Sequence, residues 1–192
     1  MTADPRPPEN LAELVHARYA TATDEEIVRI GSFVIAYCAS EIAQRLAALP
    51  GATVERSFAF AHDGVLLHGR LDVFHEADGK ALVVDYKTNV LEDASPAEVV
   101  EREYSLQRLV YALAALRAGA GEVEVVYQFL ERPDELVTGR YKAEDVSVLE
   151  LELSRAIAAI QSGEFRPTPS EYACSTCPAL NLVCAGPNLR GA

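Results

Sequence analysis

Val65-Leu66-Leu67-His68-Gly69-Arg70-Leu71-Asp72 and, a short way on, Ala81-Leu82-Val83-Val84-Asp85-Tyr86-Lys87-Thr88 decide how this chain is read. Each is an apolar, strand-like run that ends in charge. In a strand, residues i and i+2 share a face. Asp85 and Lys87 therefore project to one side and Tyr86 to the other. A second carboxylate, Asp72, closes the preceding run.

Working outward, Thr53–Ala61 alternates Val54, Arg56, Phe58 and Phe60 with its other positions, and His62-Asp63-Gly64 reads as a turn into a strand over Val65–His75. Asp78-Gly79 is a second turn, into a strand over Lys80–Thr88. The three form an antiparallel meander. Upstream, a helical region covers Asn10–Tyr19. Thr23-Asp24-Glu25-Glu26 has the pattern of a capping box. The helix it opens carries Ile27, Ile30, Val34, Cys38, Ile42 and Leu46 on one stripe and stops at Pro50-Gly51. Downstream, the pattern is helical from Ser95-Pro96 to about Leu116, ending at Gly119-Ala120-Gly121. A fourth strand covers Glu122–Leu130, a fifth Leu136–Tyr141, and a last helix Ala143–Ser162. Phe165–Ser170 reads as extended. The order α–βββ–α–β predicts an α/β fold, a mixed central sheet flanked by helices. Residues 1–9 read as a flexible lead, 10–165 as the core, and 166–192 as a cysteine-containing tail packed on it.

At 192 residues and 49% hydrophobic, the chain can bury one sizeable core. No apolar run approaches the roughly 18 residues of a membrane span, and the polar, Pro-rich N-terminus is no secretory signal, so a cytoplasmic location is expected. The net charge of −12 excludes a generic nucleic-acid-coating protein, which needs a basic footprint. It leaves room for a short basic lip beside acidic ligands. Of the four cysteines, Cys174, Cys177 and Cys184 cluster near the C-terminus, and Cys38 stands apart. In a reducing compartment such clustering favours metal binding over disulfides.

Gly69-x-x-Asp72, Asp85-Tyr86-Lys87-Thr88 and Tyr104-x-x-Gln107-x-x-x-Tyr111 occur in that order, with Glu55 on the first strand. Together they resemble the PD-(D/E)XK nuclease superfamily, and within it the RecB-like domains of AddAB, AdnAB and UvrD-associated helicase-nucleases. The resemblance covers about Thr53–Ala185. It implies a restriction-endonuclease-like fold and hydrolysis of phosphodiester bonds. Hard oxygen ligands suit Mg²⁺ or Mn²⁺. The family's pattern makes Asp72, Asp85 and the Tyr86 carbonyl the metal ligands, and gives Lys87 the water or the transition-state charge. By the same resemblance Gln107 and Tyr111, one turn apart on a helix, contact the site or the DNA, and Glu55 joins the acidic set. RecB-like members usually add a metal-binding histidine on the first helix. His16 is the candidate here, without the glycine that often precedes it.

Cys174-x-x-Cys177-x6-Cys184, preceded by Pro167-Thr168-Pro169, resembles the C-terminal motif of iron–sulfur RecB-like nucleases. That resemblance implies a [4Fe–4S] cluster with Cys38 as the fourth ligand and a structural role; zinc is the competing ion. The expected function is thus a Mg²⁺- or Mn²⁺-dependent deoxyribonuclease, an exonuclease of repair or recombination. Its partners would be DNA, as ends or single strands, and a helicase subunit or domain, with no membrane. The rival readings are a non-catalytic DNA- or helicase-binding module of the same fold and a CRISPR-adaptation exonuclease.

Overall fold

The computed structural model describes residues 5–163 together with Cys174, residues 177–179 and Cys184. The expected extended stretch Phe165–Ser170 lies outside them. The chain forms two compact units, residues 1–154 and 155–192.

The larger unit holds α1 (Leu11–Arg18), α2 (Asp24–Ala39), α3 (Glu41–Ala47), β1 (Thr53–His62), β2 (Val65–Ala77), β3 (Lys80–Lys87), α4 (Pro96–Val99), a π turn (Val100–Tyr104), α5 (Ser105–Arg117), β4 (Glu122–Phe129) and β5 (Val137–Lys142). A 3₁₀ turn at Ala143–Asp145 leads into α6 (Val146–Gln161), which continues into the second unit. The five strands lie in the order β1-β2-β3-β4-β5. β3 and β4 are parallel, joined by the α4–π–α5 crossover, and the other pairs are antiparallel. This is the mixed, helix-flanked α/β sheet the sequence predicts.

The two hairpins follow from their turns. Asp63 and Gly64 have φ of 47° and 75°, and Asp78 and Gly79 of 52° and 72°. A two-residue turn with both φ positive matches the strand twist, and Asp-Gly suits it. The second turn pairs Ala77 with Lys80 and so fixes the register up to the rung Val73↔Val84. One step further, Asp72 stands opposite Asp85, but the ladder has ended. β2 continues only with β1, so 56–62 and 65–71 form a two-stranded ribbon beyond the sheet.

Helices cover both faces. On one, Ile42 and Leu46 of α3 pack on Val73, Leu82, Val84 and Val126, with Tyr86 at the margin. On the other lie Val83, Val125, Tyr127 and α5. Val83, Val84 and Val125 are fully buried. Burial of each such side chain contributes about 1.5–3 kcal/mol.

Two helical expectations need correction. The stripe from Ile27 to Leu46 is not one helix. Ser40 leaves helical geometry (φ −73°, ψ 153°), and its hydroxyl accepts from the Ala43 N–H to cap α3. The hydroxyl also donates to the Tyr37 carbonyl at 2.7 Å. One small capping residue resets the axis while the apolar spacing runs on. The helix from Ser95 likewise carries the π turn Val100–Tyr104, a one-residue expansion that a hydrophobic pattern does not register.

Candidate active site

The end of β3 gathers the charged side chains singled out in the sequence. Asp85 is 3% exposed. Its Oδ1 accepts from the Tyr111 hydroxyl at 2.9 Å. Its Oδ2 lies 2.6 Å from Lys87 Nζ, an ion pair. That contact lacks hydrogen-bond alignment, so Oδ2 is buried without a hydrogen-bond donor. Lys87 Nζ donates to Gln107 Oε1 at 3.0 Å, and Gln107 Nε2 donates to the Tyr111 hydroxyl at 2.9 Å. The loop Asp85–Lys87–Gln107–Tyr111 is closed. It is built from i, i+2 on a strand and i, i+4 on a helix.

Asp72 reaches the same place from β2. Its Oδ2 accepts from the Tyr86 N–H at 2.9 Å, so a side chain takes the rung the backbone of β2 gives up. Burial raises the Asp72 pKa above the ordinary carboxylate value; the Tyr86 N–H opposes this, and the negative charges of Asp85 and Glu55 add to it. Burial and the Asp85 carboxylate also push the Tyr111 hydroxyl pKa up, so Tyr111 remains a donor. Tyr86 points to the opposite face, where its hydroxyl donates to that of Tyr37 at 3.0 Å.

Glu55 is strained. Its φ is 54° within a strand, and the β1–β2 ladder passes from Val54↔Val73 to Arg56↔Leu71, leaving Glu55 and Asp72 unpaired. A left-handed glutamate costs roughly 1–3 kcal/mol. Glu55 bonds the Arg70 guanidinium at 2.8 Å, both side chains exposed. Gly69 is demanded by packing, since a Cβ there would meet the Phe58 ring at 2.8 Å. That ring stands edge-on to Tyr111, centroids 6.0 Å apart.

The remaining candidates take no part in the bonds just described. His16 is exposed on α1. Cys38 is half-buried on α2. Cys174, Cys177 and Cys184 carry free thiols, and the Cys177 N–H closes on the Cys174 carbonyl at 3.3 Å. Among the described residues, no three His, Cys, Asp or Glu side chains gather closely enough to hold a metal. The expected thiolate cluster therefore finds no support among the described residues.

Sequence reasoning left three neighbours out of the site. The Tyr104 ring lies under Lys87 Nζ, 3.9 Å from its centroid, and its hydroxyl donates to Asn89 Oδ1 at 2.9 Å. The Tyr127 hydroxyl donates to Gln107 Oε1 at 3.3 Å. Tyr104 was visible in the Tyr104-x-x-Gln107 spacing. Tyr127, inside Val-Val-Tyr-Gln-Phe, reads as core.

The profile of the PD-(D/E)XK nuclease superfamily matches residues 3–184, nearly the whole chain. The chain belongs to that superfamily. No curated protein matches the sequence. Among solved structures this PD-(D/E)XK chain is similar to a candidate exonuclease from Eubacterium rectale, at 12% identity and TM-score 0.50 over 88% of this chain and 66% of that one. It is also similar to SSO0001, at 16% identity and TM-score 0.45 over 90% and 75%. At these identities the likeness concerns the fold. Among the described residues no helix is long and apolar enough to cross a membrane.

Proposed function

We propose that this PD-(D/E)XK chain is a Mg²⁺- or Mn²⁺-dependent deoxyribonuclease acting from DNA ends. The observation that carries the reading is the convergence of Asp72, Asp85 and Lys87 at one strand end, closed by Gln107 and Tyr111.

The donor set fits a hard divalent ion. Asp85 Oδ2 is buried without a hydrogen bond, Asp72 has a carboxylate with like charges around it, and the Tyr86 carbonyl directly follows Asp85 in sequence. Two carboxylates and a carbonyl suit an ion that keeps several waters. Bound there, the ion would supply charge neutralisation at the phosphate and a lowered pKa for water. The chain's own residues do the rest. Tyr111 orients Asp85 by donating to Oδ1. The Tyr86 N–H fixes one Asp72 oxygen and leaves the other available. Lys87 holds a positive charge where a phosphate oxygen would gain negative charge.

The RecB-like subtype, a helicase partner and a role in repair or recombination rest on the motif resemblance. The [4Fe–4S] proposal for Cys38, Cys174, Cys177 and Cys184 rests on cysteine count and spacing and on the motif resemblance.

The test is degradation of end-labelled single- and double-stranded DNA with Mn²⁺ or Mg²⁺ by wild type, Lys87→Ala and Asp72→Asn. Lys87→Ala strands a buried carboxylate, which costs roughly 3–5 kcal/mol. Asp72→Asn, at a half-buried position, keeps the comparison meaningful if Lys87→Ala unfolds. Cleavage by wild type and not by folded Asp72→Asn supports the proposal. Metal-dependent cleavage undiminished in Asp72→Asn, or none by wild type on any DNA form, sinks it.

A further inference from the structure

We infer that Tyr104 is a positioning residue whose ring face seats the Lys87 ammonium. Three observations meet on it. Lys87 Nζ lies 3.9 Å from the Tyr104 centroid, closer than its 5.5 Å to Tyr127. The Tyr104 ring is pinned on two sides, by its hydroxyl bond to Asn89 and by stacking on Tyr127, centroids 5.9 Å apart at 22°. The π turn ends at Tyr104, whose backbone (φ −123°, ψ 5°) has left helical geometry. One residue more or less in a helix rotates every later side chain by about 100°. Tyr104, Gln107 and Tyr111 share one face at i, i+3 and i+7, and the expansion before them sets where that face points relative to α4.

The seat has a chemical purpose that rests on the nuclease reading. Lys87 is 12% exposed, and among the described residues the carboxylate paired with it is that of Asp85. A cation drawn to Asp85 takes that partner away. The neutral Gln107 oxygen and the aromatic face then hold the ammonium against its pull toward water. A desolvated cation–π contact is strong enough to do so. Tyr104 acts through Lys87 and does not itself meet substrate.

The chain has only three lysines, Lys80, Lys87 and Lys142, so lysine labelled at ¹³Cε and ¹⁵Nζ gives three resolvable side-chain signals. The Lys87 signal is assigned by its loss in Lys87→Arg. With no metal and no DNA present, ring current should place the Lys87 methylene upfield of the other two. Tyr104→Phe should keep that shift, and Tyr104→Leu should abolish it. In cleavage assays Tyr104→Leu should lower kcat by about 2- to 30-fold with KM little changed, and Tyr104→Phe should recover most of the loss. An unshifted Lys87 signal in wild type overturns the inference, as does a folded Tyr104→Leu with wild-type kcat. A shifted signal in a protein that cleaves nothing counts for the seat and against the nuclease reading.

Discussion

Replacing Tyr111 by phenylalanine removes one oxygen and leaves the ring that packs against Phe58. The lost hydroxyl donates to Asp85 Oδ1 at 2.9 Å and accepts from Gln107 Nε2 at 2.9 Å. A hydrogen bond to a charged, buried group is worth about 1.5–3 kcal/mol, and the substitution opens almost no cavity. For a chain of this size each kcal/mol moves Tm by about 2–4 °C, so Tyr111→Phe should melt about 3–12 °C lower. Asp85 would also lose the contact that fixes its carboxylate plane. Partners of this kind typically change metal affinity by about 10- to 100-fold when removed. Differential scanning calorimetry and Mn²⁺ titration measure the two effects on one preparation. A variant with wild-type Tm and wild-type Mn²⁺ affinity would show that the Tyr111–Asp85 bond organises nothing. A fall in Tm with unchanged affinity would confine Tyr111 to a structural role.

Asp72→Asn should raise Tm near neutral pH. The raised folded-state pKa means ionised Asp72 destabilises the fold, fully at pH above that raised pKa; the penalty fades as pH falls through it and is gone below the ordinary aspartate value. The gain should therefore shrink on acidification, and a variant less stable than wild type at pH 7 would contradict it. Gly69→Ala should cost about 1–3 kcal/mol because the new methyl meets the Phe58 ring. Adding Phe58→Leu should restore part of that loss in denaturant titrations, whereas strictly additive losses would refute the clash. Anaerobically purified protein should carry about four irons per chain and a broad visible absorption, both lost in Cys177→Ser. A colourless protein with stoichiometric zinc would assign the thiolates to zinc instead.

Much of this arrangement was legible in the residues. The Asp78-Gly79 turn alone sets Ala77 against Lys80, and counting back places Asp72 opposite Asp85. Strand alternation put Asp85 and Lys87 on one face, and helical spacing put Gln107 beside Tyr111. The breaks at Ser40 and at the π turn were hidden because apolar periodicity continues through both. Seating an aromatic ring under Lys87 takes three segments, β3, the π turn and β4, and no local pattern reports how distant segments meet. Glu55 was readable as an acidic residue on the first strand. Its left-handed φ and its pairing with Arg70 were not, since both arise from the rung that Glu55 and Asp72 fail to form.

The ribbon beyond Asp72 is held differently from the rest of the sheet. Its residues pair in only one strand couple, and an isolated two-stranded hairpin is marginal in water. Arg117 braces the outer end, bonding the Ala61 carbonyl at 2.8 Å and covering the Phe60 ring at 4.8 Å. Asp85 and Lys87 belong to the stretch of β3 that pairs with β4, while Asp72 sits where β2 leaves β3 for the ribbon. The two carboxylates thus stand on segments that keep different company, and the bond from the Tyr86 N–H to Asp72 Oδ2 is the stitch that holds them side by side.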